Sequence, residues 1–334
     1  MPELALVADI GATNARFALI APGGRDIVAP LIMPCADFPG LAEAVQAYLR
    51  KSGTGEPPRL AAMDVAGPII GDWVELTNHP WRIEISAVRR ALRLEKLAII
   101  NDFAALARAV PLLGPADRTA IRAGSSEPGA PVAVLGPGTG LGVAAVVPNG
   151  SGGWIPIASE GGHVTLAATD EHEDAILVQL RRRFGHVSAE RVLSGPGLVN
   201  LHEAVCAVAG ERPEPLNPEQ VAERARAGEA RPRETLALFF GWLGNVAGNL
   251  ALTVGARGGV AIAGGIVPRY LPLLGASDFE RRFLGKGRLR PYLEPIPVDV
   301  VTHPLPAFIG LAGLLGEMAG AGDRTAGSRA RAST

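Results

Sequence analysis

The sequence predicts an α/β protein with two similar domains, and three observations lead to this fold class. Short apolar runs typical of buried strands alternate with amphipathic helical segments, which favours a sheet that is at least partly parallel. A length of 334 residues suits about two domains of roughly 100–200 residues each. The N-terminal layout "LALVADIGATNARFALIAPGG" also returns after Pro111 as "PVAVLGPGTGLGVAAVVPNG", again an apolar strand, a glycine-bearing turn and a second apolar strand. We therefore expect two domains that each present a glycine turn to a shared central cleft.

The first half of the chain alternates predicted strands with predicted helices. The strands are 4–10, 16–20, 60–65 and 97–100, and the helices are 41–49, 87–92 and 103–110. The polar link "DIGATNA" joins the first two strands and predicts a β-hairpin with a functional turn. The alternation of the later strands with helices is typical of a parallel arrangement.

The second half is predicted to be mostly helical around a second sheet. Helices are expected at 171–184, 221–227, 235–254 and 307–318, and strands at 259–263 and 298–301 after the repeated hairpin. The domains predicted from these elements are a small α/β domain at 1–110, completed by a C-terminal helix at about 305–320, and a large α/β domain at 111–304. The tail 321–334 is small, polar and basic and is predicted to be disordered.

The composition excludes several classes of protein. The formal net charge is −1 and charged residues make up 19%, without the clustered basic excess typical of nucleic-acid binding. The two cysteines, Cys35 and Cys206, exclude a disulfide framework and a Cys-rich zinc site, and they fit a reducing cytoplasm. No signal peptide is recognised, and no apolar run is expected to reach the roughly 18 residues of a membrane-spanning helix. These features predict a soluble cytoplasmic protein.

The glycine turns are candidate phosphate-binding loops. In "ADIGATNAR", residues 8–16, small residues let backbone N–H groups converge on phosphate oxygens, and Thr13, Asn14 and Arg16 add side-chain donors. Asp9 in this turn is a candidate Mg²⁺ ligand, directly or through water. An ordinary hairpin turn is the alternative for this segment alone. "GPGTGLG" and "AIAGGIVP" are a second and a third candidate phosphate-binding loop. The alternative for "AIAGGIVP" is a simple glycine-containing connection between a strand and a helix.

Polar residues in apolar surroundings suggest a second ligand. Asn101 and Asp102 follow a predicted strand directly, where they either cap the next helix or take part in chemistry. Glu160 and His163 lie in "SEGGHV", and Glu190 is predicted to lie in a helix before a glycine turn. A zinc site at Glu160 and His163 is disfavoured because no third His or Cys lies nearby. The ordinary alternatives are that His163 is a hydrogen-bonded structural residue and that Glu190 is a solvated helix residue. Taken together, these donors and acceptors suit a polyhydroxylated ligand, and beside a phosphate site they indicate a sugar kinase.

A further polar segment, "GDWVELTNHPW", offers Asp72, Asn78 and His79.

With these segments identified, the sequence closely resembles the bacterial hexokinase-type glucokinase family. The matching pieces are "DIGATNAR", "GDWVELTNHPW", "IINDF", "GTGLGV", "EGGHV", "GHVSAERVLSGPGLVNL", "GNLAL" and "GGVAIAGGIVPR", in the family's order. The resemblance implies two actin-like ATPase (ribonuclease H-like) domains that close over a central cleft. It also implies ATP- and Mg²⁺-dependent phosphorylation of D-glucose at its 6-hydroxyl, giving glucose 6-phosphate and ADP, by a homodimer.

The resemblance also implies roles for individual residues. Asp102 resembles the general base, and the implied glucose ligands are Asn101, Asp102, Glu160, His163 and Glu190. The glycine turns and the resemblance together predict ATP binding by Ala8, Asp9, Ile10, Gly11, Ala12, Thr13, Asn14, Arg16, Gly138, Thr139, Gly140, Gly264 and Gly265. The chain departs from the family at Ala12, where glycine is usual, and a methyl group is tolerated there if φ is negative.

Three other functions remain as alternatives. A kinase for another hexose, such as fructose or mannose, would differ only in the shape of its pocket. A non-catalytic sugar sensor and an actin-like assembly protein belong to other classes, and the second would not need the sugar-binding constellation.

Overall fold

The computed structural model describes residues 3–53, 56–76 and 81–331, without the side chains of 321–331. The chain forms two compact α/β units. Unit 1 consists of Met1–Gly114 and His303–Thr334, and unit 2 consists of Pro115–Thr302.

Both units combine strands with helices. In chain order, the strands are β1 (Ala5–Ile10), β2 (Asn14–Ile20), β3 (Val28–Pro34), β4 (Leu60–Val65), β5 (Ile69–Ile70), β6 (Trp73–Glu75), β7 (Arg82–Glu84), β8 (Lys96–Asn101), β9 (Arg118–Arg122), β10 (Val132–Pro137), β11 (Leu141–Pro148), β12 (Trp154–Ser159), β13 (Gly259–Ile262) and β14 (Val298–Val301). The helices are α1 (Leu41–Ser52), α2 (Ile85–Ala91), α3 (Asp102–Ala109), α4 (Glu171–Phe184), α5 (Gly195–Val208), α6 (Pro218–Arg226), α7 (Ala230–Val254), α8 (Leu271–Gly275), α9 (Phe279–Leu284), α10 (Arg290–Leu293) and α11 (Pro306–Arg331).

Unit 1 is built on a five-stranded sheet of order β3-β2-β1-β4-β8. β1 and β2 form the predicted antiparallel hairpin, whereas β4 pairs in parallel with both β1 and β8. Alternate residues of a strand point to opposite faces, so Leu6 joins the core on the α1 side and Val7 joins the core that includes Phe308 of α11. Because both faces of the central strands are buried, these strands are continuous apolar runs, and this made them recognisable in the sequence.

The C-terminal helix α11 packs on α3 in unit 1. The fit is close, because a Cβ atom at Gly310 would overlap the carbonyl oxygen of Ala105. Arg108 of α3 also pairs with Glu317 of α11 at 2.9 Å. The backbone of α11 is helical to Arg331, whereas the sequence predicts disorder from residue 321; residues 332–334 lie outside the described part.

Unit 2 repeats the strand arrangement of unit 1. Its sheet has the order β12-β11-β10-β13-β14-β9. β10 and β11 form an antiparallel hairpin, and β10, β13 and β14 pair in parallel, as β1, β4 and β8 do in unit 1. The repeat predicted from the two glycine-bearing hairpins is therefore present in the structure.

Helix α7 runs through the core of unit 2. It buries Phe239, Phe240 and Trp242 almost completely. By length and composition α7 is apolar enough to cross a membrane, so the prediction that no apolar run reaches this length is wrong. Of its most apolar 18-residue window, 61% is buried inside the protein, which explains the composition: a helix surrounded by core is apolar on all sides.

Several elements were not predicted from the sequence, and one was misplaced. β3 and the three-stranded sheet β5-β6-β7 were missed, because these strands are short or alternate between exposed and covered residues. The glycine turn predicted after Glu190 is wrong, since "SGPG" begins α5. There Ser194 accepts a hydrogen bond from Gly197 N and Pro196 occupies the first turn, a position that suits proline. Glu190 itself lies on a 3-10 turn, Ala189–Arg191, and not in an α-helix.

Candidate active site

In unit 1 the carboxyl ends of three parallel strands bring acidic side chains together. Asp9 of β1 is in register with Asp64 of β4, and Val65 of β4 is in register with Asn101 at the end of β8. Asp102 follows Asn101 directly as the first residue of α3. The carboxyl ends of the strands are where ligands bind in open α/β sheets.

Asn101 and Asp102 have different local roles. The Asn101 side chain caps α3, because its Oδ1 accepts hydrogen bonds from Phe103 N at 3.0 Å and Ala104 N at 3.2 Å. Asp102 Oδ1 accepts from Phe103 N at 2.9 Å. The cap and the carboxylate are therefore separate residues, and Asp102 is not required to begin the helix.

The Asp102 carboxyl group is poised to accept a proton near neutral pH. Burial raises its pKa to about 6, the charge of Asp9 adds to the rise, and the hydrogen bond from Phe103 N opposes it. A general base is most effective when its pKa lies near the working pH.

Asp64 is a buried carboxyl group that was not predicted as a site residue from the sequence. It is 0% exposed, and neither of its oxygens accepts a hydrogen bond from a donor in the described residues. Burial, followed by the charges of Asp9 and Asp102, raises its pKa well above the usual range of a carboxylic acid, while Arg16 lowers it. A proton held on Asp64 would make its contact with Asp9 a hydrogen bond. The available signal was an acidic residue in the middle of the apolar strand "LAAMDV".

The first glycine turn connects β1 and β2 tightly. Gly11 N donates to Asn14 O at 3.0 Å, and Arg16 Nη1 pairs with Asp9 Oδ2 at 2.7 Å. Among the described non-glycine residues, only Ala29 and Arg93 have a positive φ, so the methyl group of Ala12 imposes no backbone strain. The condition under which a methyl group is tolerated at residue 12 is therefore met.

In unit 2 the second and third glycine turns lie side by side. Gly138 N donates to Gly140 O at 2.7 Å, closing the turn between β10 and β11. Gly264 has a φ of 84°, and a Cβ atom there would overlap the carbonyl oxygen of Pro137. Ile266 N donates to the same oxygen at 3.3 Å. The turns that contain Thr139 and Gly265 therefore meet at the carboxyl ends of β10 and β13.

The structure also brings together three predicted sugar ligands in unit 2. His163 Nε2 lies 3.8 Å from Glu160 Oε2, and His163 Nδ1 lies 4.0 Å from Glu190 Oε1. The side chain of Glu160 is 83% exposed, whereas that of Glu190 is 32% exposed. Gly162 is required between Glu160 and His163, because a Cβ atom there would overlap the carbonyl oxygen of Leu141.

Other predicted polar residues contribute differently. Asp72 Oδ1 accepts from Ser86 N at 3.0 Å, next to the start of α2, so it stabilises local structure. Asn78 and His79 lie outside the described residues. Within those residues, no group of three or more His, Cys, Asp or Glu side chains is arranged to hold a metal ion.

Two α/β units of matching strand order, with acidic and glycine-rich segments at their strand ends, form the fold of the actin-like ATPases. A family model described as glucokinase matches residues 6–318. A glucokinase of Paramagnetospirillum magneticum is 50% identical over 316 residues, which are 94% of this chain and 98% of that protein. A glucokinase of Aromatoleum aromaticum is 47% identical over 308 residues, 92% of this chain and 93% of that protein. The crystal structure of a glucokinase from an Antarctic psychrotroph is 40% identical, with a TM-score of 0.86 over 95% of this chain and 100% of that one.

The chain therefore belongs to the glucokinase family. The resemblance stated from the sequence motifs is confirmed, and so is the predicted fold class of two actin-like ATPase domains.

Proposed function

We propose that this protein transfers the terminal phosphoryl group of ATP to the 6-hydroxyl of D-glucose, giving glucose 6-phosphate and ADP at the entry to glycolysis. Membership of the glucokinase family supports the reaction. The observation that carries the mechanism is the Asp102 carboxyl group, placed after β8 with a pKa raised to about 6.

Asp102 is the proposed general base. Above pH 6 its carboxylate is largely ionised and accepts the proton of the 6-hydroxyl as that oxygen attacks the phosphorus atom. Phosphoryl transfer otherwise needs in-line positioning and charge stabilisation more than covalent chemistry from the protein. One positioned carboxylate is therefore sufficient for the proton transfer.

The remaining polar set is proposed to bind the sugar. Because Asn101 Oδ1 is occupied by the helix cap, its amide NH₂ is the group proposed to donate to a hydroxyl. Glu160 and Glu190 accept hydrogen bonds from sugar hydroxyls, and His163 between them donates or accepts. Such a set suits a ligand in which every hydroxyl needs both kinds of partner.

The glycine turns are proposed to bind the nucleotide. Backbone N–H groups of the first turn, with Thr13, Asn14 and Arg16, receive the phosphates. In unit 2, the second and third glycine turns, at Gly138–Gly140 and Gly264–Gly265, lie next to each other. They offer backbone donors, and room beside their glycines, for the rest of the nucleotide. The side chain of Arg16 stays 42% exposed although it is paired with Asp9.

A magnesium ion fits this arrangement as a partner of the ATP phosphates. Mg²⁺ usually binds through one or two carboxylates together with phosphates and water, so it does not need a cage made by the protein alone. Asp9 has the required oxygen donors at the end of β1, and one of them, Oδ2, is held by Arg16. When bound, the ion would neutralise charge on the phosphates.

We further propose a cytoplasmic location and a homodimeric state. Both cysteines are free and buried, which suits a reducing compartment. The homodimer rests on family resemblance, and analytical ultracentrifugation of the purified protein tests it.

The substrate is tested by coupled detection of ADP with glucose, fructose and mannose, and by ³¹P NMR of the product. We expect the highest kcat/KM with glucose and a single 6-phosphate product. If kcat/KM is higher with fructose or mannose, that sugar and not glucose is the substrate. Sugar binding without turnover would indicate a sensor instead of an enzyme.

A further inference from the structure

The Glu190 carboxylate is held by the backbone of the second glycine turn. Its Oε2 accepts a hydrogen bond from Leu141 N at 2.9 Å, and the Ser194 hydroxyl donates to Glu190 O at 2.8 Å. Its other oxygen, Oε1, lies 4.0 Å from His163 Nδ1. The two carboxylate oxygens are thus distinct: one is tied to the turn, and the other faces the polar set proposed to bind sugar.

Gly140 leaves the space that this arrangement needs. A Cβ atom at residue 140 would lie 2.5 Å from Glu190 Oε2 and 3.3 Å from Glu190 Cδ. These atoms are the far end of a flexible side chain, and apart from the chain neighbours 139 and 141, no other described residue has an atom within 4 Å of that Cβ. Gly140 has no positive φ, so alanine can adopt its backbone conformation. A methyl group would therefore displace the carboxylate and leave the fold intact.

The same short segment also supports the loop that contains Glu160 and His163. Gly162 approaches Leu141 so closely that a Cβ atom would overlap the Leu141 carbonyl oxygen. Leu141 thus holds Glu190 through its N–H and contacts the Glu160–His163 loop through its C=O. Gly140 therefore lies beside Glu190, while Leu141 contacts both Glu190 and, at Gly162, the loop that carries Glu160 and His163.

We propose that Gly140 and Leu141 are positioning residues for the sugar: this turn, which the family resemblance assigns to the ATP phosphates, holds Glu190 so that Oε1 meets a sugar hydroxyl. The inference rests on the proposed function, because it requires a sugar at Glu190. It makes residue 140 a determinant of sugar affinity in the absence of nucleotide.

The test compares Gly140→Ala with Gly138→Ala in the full-length protein. Glucose binding is measured by titration calorimetry without ATP, and KM is measured for both substrates. We expect Gly140→Ala to raise the Kd for glucose about tenfold or more, because the charged acceptor is displaced. Gly138→Ala is the matched control, since among the described residues its Cβ would meet only Gly140 O at 4.0 Å and would not reach Glu190. Its Kd for glucose should stay within about twofold of wild type, whatever happens to its KM for ATP.

A double-mutant cycle shows whether residue 140 acts through Glu190. In a Glu190→Ala background, Gly140→Ala should cause no further loss of glucose binding, because the displaced group is already absent. Additive losses would overturn the proposal. So would a Gly140→Ala protein that binds glucose normally but has a raised KM for ATP.

The melting temperature separates positioning from folding. It should fall by less than about 2 °C in Gly140→Ala, because only a side-chain end must move. A larger fall would mean that the methyl group clashes with the fold, and this would also overturn the proposal. Wild-type protein that binds no glucose would instead contradict the proposed function.

Discussion

Lowering the pH should reduce the activity of this protein through protonation of Asp102. Burial raises the pKa of Asp102 to about 6, so its ionised fraction is about 91% at pH 7 and about 9% at pH 5. If only the carboxylate accepts the proton of the sugar hydroxyl, kcat/KM should fall about tenfold between these two values. An ordinary aspartate, with a pKa of about 3.9, would still be about 93% ionised at pH 5 and would give an almost flat profile. The direction and the size of the fall therefore report the burial of this side chain.

The assay is the initial rate of ADP formation at saturating ATP and Mg²⁺, with glucose varied, in half-unit steps from pH 5 to pH 9. The pH dependence of kcat/KM reports groups of the enzyme before the sugar binds. Phosphate groups such as those of ATP also titrate near pH 6, so the KM for ATP must be measured at each pH.

Asp102→Asn is the control for this profile. It should lower kcat by at least about a hundredfold while glucose still binds, and its residual rate should lack the fall near pH 6. A fall that persists in Asp102→Asn belongs to the nucleotide or to another group. A wild-type rate that stays constant down to pH 5, or an Asp102→Asn rate within tenfold of wild type, would refute the reasoning.

Three further predictions concern other residues. Burial raises the pKa of Asp64 in the folded protein. The folded protein therefore loses stability as the pH rises from the pKa that Asp64 has in the unfolded chain towards its higher pKa in the folded state. In EDTA, Asp64→Asn should therefore be more stable than wild type at pH 8, by about 1–3 kcal/mol, with a smaller gain at pH 5; a gain that does not grow with pH would contradict this. Gly310→Ala should destabilise the protein by about 1–3 kcal/mol in a denaturant titration, because its methyl group overlaps the Ala105 carbonyl; Gly320→Ala, whose Cβ meets none of the described residues within 4 Å, should not. Glu160→Gln should chiefly raise the KM for glucose, and a rise in the KM for ATP instead would show that Glu160 has been assigned to the wrong substrate.

The parts of the fold that were predictable are those in which burial leaves a continuous pattern. β4 and β14 were predicted with the bounds that the structure gives, because strands buried on both faces are uninterrupted apolar runs. β3 was missed because it is an edge strand with several exposed residues. Helix α5 was missed because "SGPG" is typical of a turn, and only the Ser194 cap shows that a helix begins there.

The candidate site was predictable where its chemistry is local in sequence. Asn101 and Asp102 are adjacent, so residues 100–103 alone suggested both a helix cap and a carboxylate for chemistry. Asp64 was not suggested, because its meeting with Asp9 depends on the register of two strands more than 50 residues apart. The contact between Glu190 and Leu141 was not visible for the same reason, since the two residues are 49 positions apart.

The packing of α11 on unit 1 has a consequence for biosynthesis. Val7 and Ile20 face a core that includes Phe308 and Leu311, residues that follow unit 2 in the sequence. At a synthesis rate of about 5–20 residues per second, β1 precedes this partner by roughly 15–60 s. One face of the first sheet must remain uncovered during that interval, while the intervening unit 2 is translated. The nascent chain is therefore most open to misassociation through its first two strands, and the N-terminal unit can be completed only after unit 2 has been synthesised.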